Sequence, residues 1–391
     1  MNDLGRYHSR ARERGVIRVV YWTVRAVLQP AMRIWFRLER HGRENVPRSG
    51  PVILAANHRS FLDPFIVGVC LRRPVYFVAK QELFERRWQA WILNALGAFP
   101  IRRGESDEES MATAKAILAR GDAVVIFPEG TRIRHGSLGR AKRGVGRLAL
   151  ESGAPVVPIA VAGTENVRRG WVIRPAKVRA RCGRPLTFPS VENASPSLAA
   201  RVTERIWPCV ELQWEWLGGL PAMRKAAVVG AGEMGTAAAE LLERAGLDVQ
   251  LACRTVAQAR RLGAVTVADL EPAALDLIVI ATPLRALPGV VARLGEDIGH
   301  RTTVVLPVRG GLGTHALPAV RFLRERTSAA TIACLGVPNG ARAILDDGAR
   351  IELRCDDSAR SRQLTETFER AGVRVATRDG LASDDPLTRA A

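Results

Sequence analysis

The sequence predicts an α/β protein built from two domains. Its 391 residues exceed the roughly 100–200 residues of a typical domain. Short apolar segments, typical of strands buried in a parallel sheet, alternate with helical segments in both halves. In the second half, a strand, a glycine-rich turn and a helix in succession predict a doubly wound parallel sheet. Hydrophobic residues make up 47% and charged residues 25% of the chain, which excludes a disordered or coiled-coil protein.

The positive charge of the chain lies almost entirely in its first half. Residues 1–220 contain 36 basic and 19 acidic side chains, whereas residues 221–391 contain 22 and 20, and the net charge is +19. This excess predicts an anionic partner for the first domain, such as a phospholipid surface, a phosphorylated substrate or nucleic acid. The chain contains no aromatic-basic motif of an RNA-binding protein. We therefore expect no nucleic-acid partner.

The six cysteines are scattered and form no CxxC pair. They predict buried free thiols in a reducing compartment, and neither a disulfide framework nor a metal site. The first 15 residues, MNDLGRYHSRARERG, lack the apolar core of a signal peptide. These observations favour a protein on the cytoplasmic side of the membrane.

A basic and aromatic segment, residues 15–38, predicts an amphipathic helix near the N-terminus. Four arginines interrupt it and Pro30 is expected to kink it, so that no apolar run reaches the ~20 residues that span a bilayer. Trp22 and Trp35 are side chains typical of the headgroup level. We predict that residues 1–40 form a segment that lies in a membrane interface. The alternative is a helix packed on the protein's own core.

The first chemical motif follows a short predicted strand, VILAA, at residues 52–56. It reads NHRSFLD, with His58 and Asp63 five residues apart. If the chain turns from loop into helix here, Asp63 reaches back to one imidazole nitrogen, and the other nitrogen can take a proton from a hydroxyl. The substrate's own hydroxyl would then be the nucleophile. The alternative is that His58 is a capping or solvated loop residue.

Three further segments follow at intervals in the same half. GAFPIRR ends in the paired arginines Arg102 and Arg103, and a capping box then opens a helix that extends to about Arg120. The apolar strand AVVIF leads into PEGTR at residues 128–132. The strand PVVPIAV, at residues 155–161, is bracketed by prolines.

In this order and spacing the four segments resemble the motifs of glycerolipid acyltransferases, and most closely those of the 1-acyl-sn-glycerol-3-phosphate acyltransferases. The resemblance covers about residues 30–210 and implies a glycerolipid-acyltransferase α/β domain over residues 41–217. It implies that His58 is the general base and that Asp63 orients it. It also implies an acceptor site in which Arg103 contacts the phosphate, with Arg102 sharing that task or facing solvent.

The remaining motifs add to the implied substrate site. The resemblance implies that Pro158 lies on the acyl-donor side. A backbone amide or the side-chain amide of Asn57 is a candidate for stabilising the oxyanion. The residues implied to shape the acceptor site are Glu129, Gly130, Thr131 and Arg132.

The implied reaction moves an acyl group from a thioester, acyl-CoA or acyl-carrier protein, to lysophosphatidate and yields phosphatidate. A different lysolipid acceptor is the alternative. The expected partners are an anionic membrane surface and separate enzymes of the glycerolipid pathway. We expect the protein to be peripheral on the cytoplasmic face of the membrane.

A nucleotide motif opens the second half, after a predicted linker at residues 218–223. The predicted strand Lys225–Val229 meets GAGEMG, a helix follows to about Ala245, and a second strand spans Asp248–Cys253. A GxGxxG between strand and helix brings the backbone close to a pyrophosphate at a helix N-terminus. Arg254 stands where NAD-binding sequences carry an acid, which favours NADP over NAD. The predicted cofactor residues are Gly230, Gly232, Glu233, Met234, Gly235 and Arg254. The alternative is a glycine-rich turn that binds nothing.

The second half resembles the N-terminal, Rossmann-type domain of NAD(P)-dependent glycerol-3-phosphate dehydrogenase over about residues 224–382. GAGEMGTA and PNGA carry the resemblance. Arg309 occupies a position where that family has a catalytic lysine, and that family's helical substrate domain would begin near Gly380, close to the last residue, Ala391. With residues 383–391 as a tail, we expect a dinucleotide-binding module without hydride transfer of its own. The alternative is a bifunctional protein.

Overall fold

The computed structural model describes residues 4–101, 108–133, 136–169, 171–309, 317–329, 331–337, 340–346 and 348–379. The chain divides into two compact units, Met1–Pro221 and Ala222–Ala391. Each unit is an α/β structure with one large sheet. The two-domain α/β class predicted from the sequence is confirmed.

The first unit contains nine strands and seven helices within the described residues. The strands are β1 (Glu39–His41), β2 (Val52–Ala56), β3 (Val75–Lys80), β4 (Ala98–Ile101), β5 (Ala123–Ile126), β6 (Val156–Ala162), β7 (Arg168–Arg169), β8 (Val172–Ile173) and β9 (Arg179–Cys182). The helices are α1 (Gly5–Glu13), α2 (Arg18–Trp35), α3 (Asp63–Cys70), α4 (Arg87–Ala95), α5 (Glu108–Ala119), α6 (Gly144–Ser152) and α7 (Pro196–Trp216), with short 3-10 turns at Arg43–Asn45, Gln81–Phe84 and Thr164–Asn166.

The main sheet of this unit has the order β1-β9-β6-β2-β5-β3-β4. Strands β6, β2, β5, β3 and β4 are parallel, whereas β9 runs antiparallel to β6. All residues of β2 and β6 are buried because helices cover both faces of the sheet. Along β2, Val52 and Leu54 pack on the side of α2 and α3, and Ile53 packs on the side of α5, α6 and α7.

The N-terminal helices are part of this packed unit. Tyr7 and Ala11 of α1 are buried in its core, and α2 buries Tyr21 and Met32. The helix predicted over residues 15–38 is α2, which continues through the exposed Pro30 to Trp35. The opposite face of α2 leaves apolar side chains exposed, namely Val19, Trp22, Val27, Ile34 and Trp35. Among the described helices, none combines the length and the apolar character that crossing a membrane requires.

The second unit has a single described sheet of eight strands in the order β12-β11-β10-β13-β14-β15-β16-β17. The first six are parallel, and β16 runs antiparallel to β15. This is the doubly wound order, with the reversal at β10 and β13. The strands are β10 (Lys225–Val229), β11 (Asp248–Cys253), β12 (Val265–Thr266), β13 (Leu277–Ile280), β14 (Thr303–Arg309), β15 (Thr331–Val337), β16 (Arg350–Cys355) and β17 (Arg374–Asp379). The helices are α8 (Glu233–Arg244), α9 (Val256–Leu262), α10 (Leu287–Leu294), α11 (Leu317–Arg326) and α12 (Ser358–Arg370), with 3-10 turns at Val267–Asp269, Pro272–Ala274, Leu284–Ala286 and Arg342–Leu345.

The six cysteines are free thiols. Five are buried as expected, whereas Cys209 is partly exposed on α7. Burial raises the pKa of Cys70 to about 12, which keeps this thiol protonated and unreactive at neutral pH.

Candidate active site

The candidate site lies where parallel strands of the first sheet end. The carboxyl ends of β6, β2, β5 and β3 meet at one edge of the sheet because these strands are parallel neighbours. Thr164 follows β6, His58 follows β2, Glu129 follows β5, and Lys80 ends β3. The strand order therefore brings together residues that are far apart in the chain.

His58 and Asp63 form a buried pair. The Nδ1 atom of His58 lies 2.8 Å from Oδ2 of Asp63. The same oxygen accepts the backbone N–H groups of Arg59 (2.6 Å) and Ser60 (2.7 Å), and Oδ1 accepts the Thr164 hydroxyl (2.6 Å). Because Nδ1 is held by the carboxylate, Nε2 is the ring nitrogen left to act on a substrate. The His58 ring is stacked on Phe127 with centroids 4.3 Å apart.

Glu129 is buried and supports the backbone around His58. Its Oε2 accepts the backbone N–H of His58 (2.6 Å), and its Oε1 accepts that of Gly139 (2.8 Å). Burial raises the pKa of Glu129 to about 7, against the opposing effect of these two hydrogen bonds. Glu129 thus holds the backbone at His58 and Gly139, and its part in shaping the acceptor site stays a prediction.

Two further predicted substrate residues face the protein interior. The amide of Asn57 donates to the carbonyl oxygen of Val161 (3.0 Å) and accepts the N–H of the same residue (2.7 Å). It joins β2 to β6. Pro158 is buried within β6, where its carbonyl accepts the N–H of Gly183 (2.8 Å). Neither residue lines the cavity described next, and their roles toward the substrates stay predictions.

A cavity of about 1000 Å³ opens beside His58. Its volume suits a substantial small-molecule ligand. Much of the wall is apolar, including Phe61, Phe65, Phe77, Leu83, Leu93, Ile101, Met111, Ile126, Phe127 and Leu148. An apolar wall with a base at its surface fits a substrate that combines a hydrocarbon part with a reactive polar group.

Cationic side chains line the same cavity. They are Lys80, Arg132, Lys142, Arg143 and Arg147. Arg147 is neutralised by Glu108 (2.5 Å) and Glu151 (2.7 Å). Within the part of the chain that the structure describes, no carboxylate pairs with Lys80, Lys142 or Arg143. Their charge suits an anionic group such as a phosphate.

The predicted PEGTR residues differ in their placement. Gly130 and Arg132 line the cavity, and Thr131 is exposed. Gly130 has a φ of +68°, and a Cβ there would lie 3.1 Å from Cε of Lys142, so that a larger residue would displace this lysine. Arg102 and Arg103 lie outside the described residues.

The glycine-rich turn of the second unit connects β10 to α8. Gly230 has a φ of +114°, and a Cβ on Gly235 would lie 1.6 Å from the carbonyl oxygen of Gly230. Only glycine fits at Gly235 without a shift of the turn. Gly232 is exposed, and no heavy atom lies within 4 Å of its ideal Cβ position. The N-terminus of α8 is therefore approachable by an anionic group.

The other predicted cofactor residues surround this turn. Arg254 is exposed directly after β11, the strand beside β10. Glu233 is the first residue of α8 and pairs with Arg309 at 3.3 Å. The side chain of Met234 is buried in the core of the unit, so only its backbone can contact a ligand.

Comparison with known proteins extends this picture for the first unit. The Acyltransferase family model matches residues 37–162. A 1-acyl-sn-glycerol-3-phosphate acyltransferase of Pseudomonas aeruginosa is 31% identical over 204 residues, which are 50% of this chain and 75% of that protein. The chain belongs to the 1-acyl-sn-glycerol-3-phosphate acyltransferase family.

Other members of the acyltransferase family match over a smaller share. Chloroplast 1-acyl-sn-glycerol-3-phosphate acyltransferases of Brassica napus and Arabidopsis thaliana are each 32% identical over 34% of this chain. The chain spans less than two fifths of their length, 39% and 38%.

Two solved structures are similar to parts of this chain. The 1-acyl-sn-glycerophosphate acyltransferase PlsC of Thermotoga maritima is 24% identical, with a TM-score of 0.40, over 54% of this chain and 83% of that chain. The glycerol-3-phosphate dehydrogenase of Coxiella burnetii is 22% identical, with a TM-score of 0.34, over 41% of this chain and 55% of that chain.

The sequence analysis missed four residues at the candidate site. Thr164 carries no motif of its own and reaches Asp63 only because β6 lies beside β2. Phe127 reads as the last residue of an apolar strand. The cavity lysines Lys80 and Lys142 were the residues that the sequence could most easily have indicated. The chain has only five lysines among its 58 basic residues.

Proposed function

We propose that the first unit transfers an acyl group from an acyl thioester to the free hydroxyl of 1-acyl-sn-glycerol 3-phosphate and forms phosphatidate. The observation that carries the proposal is the buried pair of His58 and Asp63 at the wall of a cavity that is partly apolar and partly cationic. Family membership and the names of the relatives support the same reaction.

In the proposed mechanism, Nε2 of His58 takes the proton of the acceptor hydroxyl while Asp63 stabilises the imidazolium. The alcohol oxygen bonds to the thioester carbonyl carbon, the carbon–sulfur bond breaks, and the imidazolium returns the proton to the leaving thiolate. Lys80, Lys142 and Arg143 supply cations for the acceptor's phosphate. Holding both substrates beside one base supplies much of the rate acceleration.

The test is a transfer assay with the full chain, lysophosphatidate and other lysolipids as acceptors, and acyl-CoA or acyl-carrier protein as donor. His58→Ala should lower kcat/KM by at least about a hundredfold, since it removes the base. His300→Ala is the matched control, because His300 is exposed in the second unit. Unchanged transfer by His58→Ala would contradict the mechanism. A lysolipid without a terminal phosphate that reacts faster than lysophosphatidate would replace the proposed acceptor.

We also propose that the protein is peripheral on the cytoplasmic face of the membrane. The exposed apolar face of α2, which includes Val19, Trp22 and Ile34, supports this localisation. The excess of positive charge in the first half is favourable near anionic lipid headgroups.

For the second unit, we propose dinucleotide binding at the N-terminus of α8. The close approach of Gly235 to Gly230 favours this function, because it is the packing that a pyrophosphate-binding turn needs. The backbone of the turn would hold the pyrophosphate, and Arg254 would face a 2′-phosphate. A nicotinamide dinucleotide supplies a hydride donor or acceptor when bound. Arg309, paired with Glu233, offers no group that readily exchanges a proton.

A further inference from the structure

A two-stranded hairpin outside the N-terminal segment exposes a second apolar surface. We call it the Trp171 hairpin; it consists of β7, Trp171 and β8. Arg168 pairs with Ile173 across the strands, and the N–H of Arg174 donates to the carbonyl of Val167 at the base (2.8 Å). The side chains of Trp171, Val172 and Ile173 are 94%, 60% and 48% exposed. Three adjacent exposed apolar side chains at one tip are unusual for a surface that faces only water.

Basic residues surround this apolar tip. Between residues 164 and 184 the sequence has seven basic residues and one acidic residue, Glu165. Arg168 and Arg174 are exposed at the base of the hairpin, and the Arg168 guanidinium lies over the Trp171 ring at 5.4 Å. An apolar, aromatic tip with a cationic base complements the acyl boundary and the phosphates of an anionic bilayer.

The hairpin adjoins both the candidate site and the end of α2. Arg168 also lies over the ring of Phe61 at 5.9 Å, and Phe61 lines the cavity that contains His58. Downstream of the hairpin, the N–H of Val178 donates to the carbonyl of Phe36 (2.9 Å), the residue that follows α2. This hydrogen bond connects the chain that follows the hairpin to the end of α2, where Ile34 and Trp35 are exposed.

We infer that the Trp171 hairpin inserts into the interface of an anionic phospholipid bilayer beside the cavity. Its indole ring lies at the headgroup level, and the flanking arginines contact lipid phosphates. A lysolipid acceptor then moves from the leaflet past Phe61 toward His58 without exposing its acyl chain to water. This last step rests on the proposed acyltransferase function, whereas the insertion itself does not.

The test measures co-sedimentation of the full chain with vesicles of phosphatidylcholine, with and without phosphatidylglycerol. Trp171→Glu should lower the partition onto anionic vesicles about tenfold or more, because a carboxylate at the tip opposes both apolar insertion and the anionic surface. Trp171→Phe should retain most of the binding. Val172→Glu repeats the test, and Leu262→Glu, on an exposed apolar residue of α9, is the matched control. Thermal unfolding followed by circular dichroism verifies that each variant is folded.

The outcomes separate the inference from the proposed function. If Trp171→Glu binds anionic vesicles as well as the wild type does, the inference is overturned. This holds whether or not Ile34→Glu, on α2, weakens vesicle binding. A change in the sedimentation coefficient of the lipid-free protein on Trp171→Glu, without a change in vesicle binding, would assign the hairpin to a second copy of the chain and also overturn it. Weaker vesicle binding by Trp171→Glu would uphold the inference even if no lysolipid were acylated. If acyl transfer occurs, its rate can be measured with lysophosphatidate in vesicles and with monodisperse lysophosphatidate. The ratio of the first rate to the second should fall in Trp171→Glu together with its vesicle binding.

Discussion

The hydroxyl of Thr164 donates a hydrogen bond to Oδ1 of Asp63, with 2.6 Å between the two oxygens. The two residues are 101 positions apart in the chain. Both groups are buried, and the carboxylate also holds His58. In the proposed mechanism Thr164 is therefore a positioning residue, since it would act on His58 through Asp63.

Replacing Thr164 by valine removes the hydroxyl and keeps the shape of the side chain. A hydrogen bond to a charged group contributes about 1.5–3 kcal/mol. We expect kcat for lysophosphatidate acylation to fall about tenfold or more, with KM nearly unchanged, because the base is less well oriented while the substrate contacts remain. Steady-state kinetics with both substrates varied measures the two constants.

Thr164→Ser is the matched variant, because it keeps the hydroxyl and removes only a methyl group. It should recover most of the wild-type kcat. A purely structural role would lower the activity of both variants in step with their unfolding temperatures, and equal activities of serine and valine variants would contradict the positioning role.

The sequence predicts the reacting pair but not its surroundings. A spacing of five across a strand–turn–helix junction is local information, and it suffices to predict that Asp63 reaches His58. Thr164 joins them through the strand order, which no local pattern contains. The backbone contacts of Asn57 and Glu129 were not predicted for a related reason: adjacency to a motif does not determine which side chains turn inward to bond the backbone.

At the scale of elements, the contact between α6 and α7 depends on a single missing side chain. A Cβ on Gly146 would lie 2.1 Å from the carbonyl oxygen of Ala199 and 2.6 Å from the hydroxyl of Thr203. These atoms belong to the α7 backbone and to a hydroxyl that accepts the Gly146 N–H, so neither can move away easily. The two helices approach closely only because residue 146 is glycine.

Gly146→Ala should therefore destabilise the first unit by about 1–3 kcal/mol or more, the usual range for an overpacked core. All eight tryptophans lie in residues 1–221, so tryptophan fluorescence during urea unfolding follows this unit alone. Gly144→Ala is the matched control in the same helix. Its Cβ would meet no atom within 4 Å, and it should leave stability unchanged or raise it by about 0.4–1 kcal/mol. A Gly146→Ala midpoint equal to that of Gly144→Ala would contradict the close approach.

The strands were easier to predict than the surface elements. VILAA is β2 as predicted, AVVIF is one residue longer than β5, and PVVPIAV is displaced from β6 by one residue. These predictions succeed because a fully buried strand has a continuous apolar pattern. The Trp171 hairpin has two-residue strands, too short for such a pattern. The helix predicted over residues 15–38 is α2, Arg18–Trp35, which includes Pro30.

At the scale of the whole chain, the two units differ in charge, in aromatic content and in the chemistry of their sites. Each has its own apolar cores, and the second has 22 basic against 20 acidic residues and neither tryptophan nor tyrosine. The basic first unit is suited to a lipid surface, and the nearly neutral second unit is suited to a soluble ligand. A ligand of the second unit can therefore be titrated in the full chain without membranes.

We expect the full chain to bind NADPH more tightly than NADH in isothermal titration calorimetry. The guanidinium of Arg254, exposed beside the glycine-rich turn, would add a charge-assisted contact to the 2′-phosphate, which the adenosine ribose of NADH lacks. Arg254→Ala should weaken NADPH binding about tenfold or more and leave NADH binding nearly unchanged. Arg293→Ala removes an equal charge from the exposed face of α10 and should affect neither. An equal loss for both dinucleotides on Arg254→Ala would exclude the 2′-phosphate contact, and an absence of heat with either dinucleotide would show that the turn between β10 and α8 is structural only.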